Sequence, residues 1–222
     1  MISFLGLSIT SKIKAQDWPN LEKYKNANTE LPAPAKGENR VVFMGNSITE
    51  MWKDAHPDFF TENPYVNRGI GGQTTPQMLL RFRQDVIDLD PKVVVILAGT
   101  NDIAGNTGPM TLEQIHNNIL SMVQLAKANG IKPIVCSVLP AYDYPWRPGL
   151  NPNIKIPKLN EMLKDMTETE DIMYLDYFSE MVDDRNGMQS KLTTDEVHVT
   201  KAGYEIMERM VNEAIEKALK TE

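Results

Sequence analysis

Ser47 follows Gly45 and Asn46 immediately after an apolar run at residues 41–44, and His198 stands three residues after Asp195, just before the last amphipathic stretch. A serine hydroxyl is a poor nucleophile until a base removes its proton, and an imidazole serves as that base when a carboxylate holds its other nitrogen. The spacing of Asp195 and His198 lets one short loop do the holding and leaves a ring nitrogen free. Attack on a carbonyl also needs donors for the oxyanion. Gly71 and Gly72 in "NRGIGGQTT" allow backbone N–H groups to turn into a cleft, and Asn101 in "LAGTNDI" offers an amide that donates without adding charge.

Each of these signals has an ordinary alternative. On the tripeptide alone Ser47 reads better as a helix cap, the glycine pair as a tight turn, Asn101 as a turn residue and Asp195 with His198 as a solvated helix start. Thr49 occupies the place where a G-x-S-x-G elbow needs its second glycine, so that signature is absent. The glycine pair fails the G-x-G-x-x-G spacing and no P-loop lysine follows it.

The elements that must position these residues decide the matter. Short apolar runs recur as "RVVFM" at Arg40, "YVNRGI" at Tyr65, "VVVILA" at Val93, "PIVCSVL" at Pro133 and "IMYLDY" at Ile172. Helical periodicity lies between them, over residues 74–88, from Thr111 as N-cap to a stop at "ANG", over 154–166 and over 200–220. Strands alternating with helices, each strand a continuous apolar run, predict a parallel sheet covered on both faces. In such sheets the ligand lies beyond the carboxyl ends of the strands. All four signals fall there or in the last loop, and together they predict a hydrolase.

Gly45-Asn46-Ser47, Gly69 to Gly72, Gly99 with Asn101, and Asp195 with His198 resemble, in order, the four blocks of the SGNH or GDSL hydrolases, with likeness to both platelet-activating-factor acetylhydrolase and carbohydrate acetylesterase subgroups. The resemblance implies an α/β, flavodoxin-like three-layer α/β/α sandwich on a five-stranded parallel sheet, and ester hydrolysis with neither cofactor nor metal. It also implies roles: Ser47 nucleophile, His198 base, Asp195 its orienter, the Ser47 and Gly72 backbone and the Asn101 amide as oxyanion hole, Gly45 and Asn46 as the supporting turn. Asn46 departs from the aspartate usual in the family. Its amide is near-isosteric and still accepts a hydrogen bond.

The rest of the chain bounds the reading. A net charge of -7 and no basic stripe exclude a nucleic-acid partner, and no apolar run approaches the roughly 20 residues that span a bilayer. His56, His116 and His198 lie far apart, without a metal-ligand spacing, and Cys136 sits alone within an apolar run as a core residue. The long loop "AYDYPWRPG", residues 141–149, follows the fourth strand, where Tyr142, Tyr144 and Trp146 are expected to stack on sugar rings and Arg147 to meet an acid group, with core packing of the aromatics the other reading. Without a long apolar lid, the expected substrate is a short acyl ester, acetyl on a carbohydrate; a lysophospholipid-type ester is the second reading and a non-catalytic glycan-binding module the third. Residues 1–16 read as a truncated signal peptide or an N-terminal arm and 17–222 as one hydrolase domain, working in a periplasm or outside the cell if the signal is real and in the cytoplasm otherwise.

Overall fold

The computed structural model describes residues 16–220, so the signal or arm expected over residues 1–16 lies, but for Gln16, outside them. The five apolar runs form β1 (Val41–Gly45), β2 (Tyr65–Gly69), β3 (Val93–Leu97), β4 (Lys132–Cys136) and β5 (Met173–Leu175), all parallel, in the order β2-β1-β3-β4-β5. The helices are α1 (Lys25–Glu30), α2 (Ser47–Ala55), α3 (Pro57–Thr61), α4 (Thr75–Asp85), α5 (Thr100–Ile103), α6 (Leu112–Ala128), α7 (Pro152–Glu170), α8 (Tyr177–Met181) and α9 (Lys201–Lys220).

Alternate residues of β1 feed two cores. Val41 and Phe43 join Trp52 of α2, Phe59 of α3, Tyr177 of α8 and Met207 of α9, whereas Val42 and Met44 join Met78 of α4, Ile119 of α6 and Leu163 of α7. A strand apolar at every position is therefore apolar for a reason, since both faces are buried. The parallel sheet covered on both faces, as the pattern predicts, and the three-layer α/β/α sandwich that the resemblance implies are the fold. Cys136 is buried in the second core, where burial pushes its thiol up, out of the reactive range.

Helix boundaries follow local chemistry. Thr111 caps α6 through its hydroxyl and Gln114 returns the bond, as the T-x-x-Q spacing requires. α7 runs longer at both ends than the expected 154–166. It tolerates Pro157 inside it because the carbonyl a proline leaves free, that of Asn153, accepts the Asn186 amide at 3.2 Å.

The sheet order sends the chain from β1 to β2 on one side and back to β3 on the other, opening a crevice above the carboxyl end of β1. Gly45, Gly69 and Leu97 are level in register, so the loops leaving β1, β2 and β3 meet there. Close approach fixes one glycine: a Cβ on Gly69 would collide with the Glu50 backbone of α2. Before the sheet, residues 16–31 form a strap along α4, with Asn28 bonded to the Gln84 carbonyl and Asp85.

Arg81 and Asp85, one turn apart on α4, form an ion pair at 3.0 Å with neither side chain exposed. Arg81 also donates to Gln73 Oε1 at 2.6 Å and to the Gly45 carbonyl at 3.1 Å. Arg81→Met leaves a buried carboxylate and a strand-end carbonyl without their partner, and should cost about 3 to 5 kcal/mol in urea denaturation. Adding Asp85→Leu should recover part of that loss.

Candidate active site

Gly45 ends β1 and Asn46 turns the chain into α2. The helix cap is Asn46, whose Oδ1 accepts from the Ile48 N–H at 3.0 Å, and not Ser47 as the tripeptide alone suggested. An amide that takes over the capping leaves Ser47 at the first helical position with its hydroxyl uncommitted to the backbone. That hydroxyl lies 3.0 Å from His198 Nε2, across 151 positions of sequence.

The loop before α9 is built around Asp195. Its Oδ1 accepts the backbone N–H of Val197 at 3.1 Å and of His198 at 2.7 Å, and its Oδ2 lies 2.6 Å from His198 Nδ1. Partial burial raises the Asp195 carboxyl, but these hydrogen bonds outweigh it and hold the group below the usual carboxylate range. An ionised carboxylate there takes Nδ1–H, which leaves the Nε2 lone pair facing the Ser47 hydroxyl.

The loop from β2 to α4 lies against Ser47 from the other side. A Cβ on Gly71 would come within 3.8 Å of the Ser47 Cβ, and the Gly71 N–H is taken by Glu50 Oε2 at 2.6 Å. Gly72 follows with φ of +75°, a conformation glycine adopts freely, and its own N–H has no partner among the described residues. Asn101 is buried on the short helix α5 and donates to the Gln73 carbonyl at 2.9 Å. One of its two amide hydrogens is thereby fixed and the other is left over.

The aromatic loop divides. Tyr144 is fully buried, its hydroxyl bonded to the hydroxyl and carbonyl of Thr100 at 3.0 Å each, so the expectation that it meets a sugar is corrected. A phenol with its polar end satisfied inside is a foundation and not a contact surface. Trp146 stacks on Tyr144 at 5.3 Å and lies 6.4 Å from the His198 ring, with 47 % of its surface exposed. Tyr142 is exposed beneath the Arg185 guanidinium at 4.7 Å. Arg147 gives Nη1 to the carbonyls of Ala104 and Gly105, anchoring the loop to the end of α5.

Four residues that carry this geometry were missed in sequence: Glu50, Gln73, Arg81 and Asp102. Asp102 is buried behind Asn101 and accepts from both the N–H and the hydroxyl of Thr75, at 2.9 and 2.6 Å, with its second oxygen unpartnered. It ties α5 to the start of α4. A charged pair Arg81 and Asp85 on the same face as Met78 and Phe82 was a readable sign of a buried network; the other three left none.

A model described as the GDSL-like lipase/acylhydrolase family matches residues 43–206. A proposed acylhydrolase from Bacteroides fragilis is 50 % identical with a TM-score of 0.90, covering 92 % of this chain and 100 % of that one. A GDSL-like lipase from Bacteroides thetaiotaomicron is 48 % identical with a TM-score of 0.88, covering 90 % of this chain and 98 % of that one. An uncharacterized lipoprotein of Bacillus subtilis is 38 % identical over 78 residues, 34 % of this chain and 32 % of that protein, so the chain spans about a third of this curated relative.

Burial pushes the Asp102 carboxyl up to about 6, against the opposing pull of the Thr75 bonds. The native state then keeps a proton that the unfolded chain has lost, so this group's contribution to stability falls as pH rises from about 4 to about 6, by on the order of 3 kcal/mol. Asp102→Asn should gain stability relative to wild type across that window and run parallel to it above; a constant difference in denaturation midpoint from pH 4 to 7 would contradict this. Asn46→Asp keeps the cap acceptor, and should change kcat by less than about tenfold in steady-state assays.

Proposed function

The chain belongs to the GDSL-like lipase/acylhydrolase family, and from that premise we propose that it is a serine esterase that cleaves short acyl esters, acetyl groups on carbohydrate in particular. The observation that carries the reading is the line from Ser47 Oγ through His198 to Asp195, with bonds of 3.0 and 2.6 Å. His198 Nε2 takes the hydroxyl proton as Ser47 Oγ adds to the ester carbonyl, and returns it to the leaving alcohol as the acyl-enzyme forms. Water then repeats the sequence, losing its proton to His198, and releases the acid. The oxyanion at each tetrahedral stage is held by the backbone N–H groups of Ser47 and Gly72 and by the spare Asn101 hydrogen. One such donor is worth about 3 to 4 kcal/mol of barrier.

The sugar assignment rests on Trp146. Its exposed indole beside His198, on a Tyr144 that is itself pinned, is a rigid amphipathic face where the alcohol portion of an ester arrives. Residues 17–222 are assigned to one domain. An extracytoplasmic location goes with the proposal, supported by the apolar stretch at residues 2–9 and by the match to a lipoprotein.

Ser47→Ala and His198→Ala should each lower kcat on 4-nitrophenyl acetate by roughly four to six orders of magnitude, with circular dichroism unchanged. Substantial turnover in either would end the assignment. Trp146→Ala should raise KM about tenfold for an acetylated oligosaccharide, while kcat on 4-nitrophenyl acetate stays within about twofold. Equal loss on both substrates would remove the carbohydrate and leave an esterase of small esters.

A further inference from the structure

The loop that carries Gly72 is held from outside the sheet by a segment of the chain that precedes it. Three glutamine amides in and before α4 donate to successive parts of the strap: Gln73 to the Pro19 carbonyl at 2.7 Å, Gln77 to Trp18 at 2.7 Å and Gln84 to Leu21 at 2.8 Å. The Tyr24 hydroxyl donates to the Gly69 carbonyl, and the Arg68 guanidinium lies 4.7 Å over its ring. Lys23 pairs with Glu50 at 2.7 Å, and the other oxygen of that carboxylate takes the Gly71 N–H.

Gln73 stands where these contacts meet the site. Its Nε2 reaches the strap, its Oε1 accepts from Arg81 at 2.6 Å, and its backbone carbonyl accepts the Asn101 amide at 2.9 Å. The side chain is buried, with both ends of its amide satisfied. The residue next to it, Gly72, has an N–H without a partner among the described residues and a φ of +75°, a region that glycine enters freely.

Resting on the oxyanion roles above, we propose that the strap of residues 18–28 acts through Gln73 and through Lys23, Glu50 and Gly71 to set the positions of the Gly72 N–H and the Asn101 amide, making Gln73 a positioning residue for the reaction. An oxyanion donor is effective only if it is in place before charge develops. A glycine loop left to itself samples many orientations, and a loop clamped on both sides of Gly72, at Gly71 and at Gln73, does not. Clamping from the strap therefore acts on the transition state and leaves ground-state binding of the ester nearly untouched.

The test compares Gln73→Ala, Gln73→Glu and Lys23→Ala in the full chain. Gln73→Glu keeps an acceptor for Arg81, but it replaces the donor to Pro19 with a carboxylate oxygen and adds a charge beside Arg81, whereas Lys23→Ala leaves the Gln73 contacts as they are. On 4-nitrophenyl acetate, kcat should fall about thirtyfold, tenfold and threefold in that order, with KM within about threefold of wild type. Inhibition by phenylboronic acid, which becomes tetrahedral on the serine, should weaken in the same proportions. Folded Gln73→Glu and Lys23→Ala proteins with wild-type kcat, or lowered kcat with unchanged boronate affinity, would overturn the proposal, and these two variants decide it even if Gln73→Ala fails to fold. Ser47→Ala separates the two readings: if it stays active the catalytic assignment itself has failed, and if it is inert while the Gln73 variants are fully active only the strap has.

Discussion

The Arg81 guanidinium has no exposed surface and must find every partner inside the protein. It does so in three separate pieces of chain: the Asp85 carboxylate on its own helix, the Gln73 side chain in the loop after β2, and the carbonyl that ends β1. A buried charge tolerates no missing bond, because the alternative is a desolvated donor facing nothing. The strand end before Ser47 and the loop after Gly72 are thus fixed relative to each other by one group. Neither can drift without exposing the cost of the ion. What the crevice at the head of the sheet needs from physics is this mutual fixing, since the loops that line it are otherwise glycine-rich and free.

The parts of this that were legible in the sequence are those that depend on neighbours along the chain. Five apolar runs sufficed for five strands because each is buried on both faces, and Thr111 with Gln114 announced α6 because a capping box is a local exchange of two bonds. Asp195 and His198 were legible for the same reason, being one loop. Ser47 was readable only in company with the other blocks, and its tripeptide misled, because an asparagine before a serine competes for the same cap and wins it. Gln73, Glu50 and Asp102 were silent. Each acts on at least one partner between 21 and 54 positions away, and no period or spacing in a sequence reports such a pairing.

The two sides of the crevice are stiffened differently. On the His198 side the chain satisfies itself: Asp195 binds both backbone and ring of the residue three places on, and Thr193 and Thr194 bond to the His198 carbonyl. An imidazole held this way keeps its tautomer with no help from the core. On the glycine side nothing local can do the work, because two glycines carry no side chains to bond. Stiffness there is imported, from Glu50 on α2, from Arg81 on α4 and from the strap.

Electrostatics explains why the imported groups take the form they do. An oxyanion forming beside Ser47 is repelled by any unscreened carboxylate nearby, and the family's usual aspartate at position 46, Glu50 and Asp102 are all candidates. Position 46 carries an amide, which caps α2 as a carboxylate would but adds no charge. Asp102 is buried, which pushes its carboxyl up to about 6, and when it is charged both donors from Thr75 point at one of its oxygens. Glu50, the more exposed of the two carboxylates present, is the one paired with a lysine, Lys23 of the strap at 2.7 Å. The strap thus contributes charge as well as stiffness. A neutral clamp on Gly71 would hold the loop equally well; the carboxylate that does hold it brings its counter-ion from the strap.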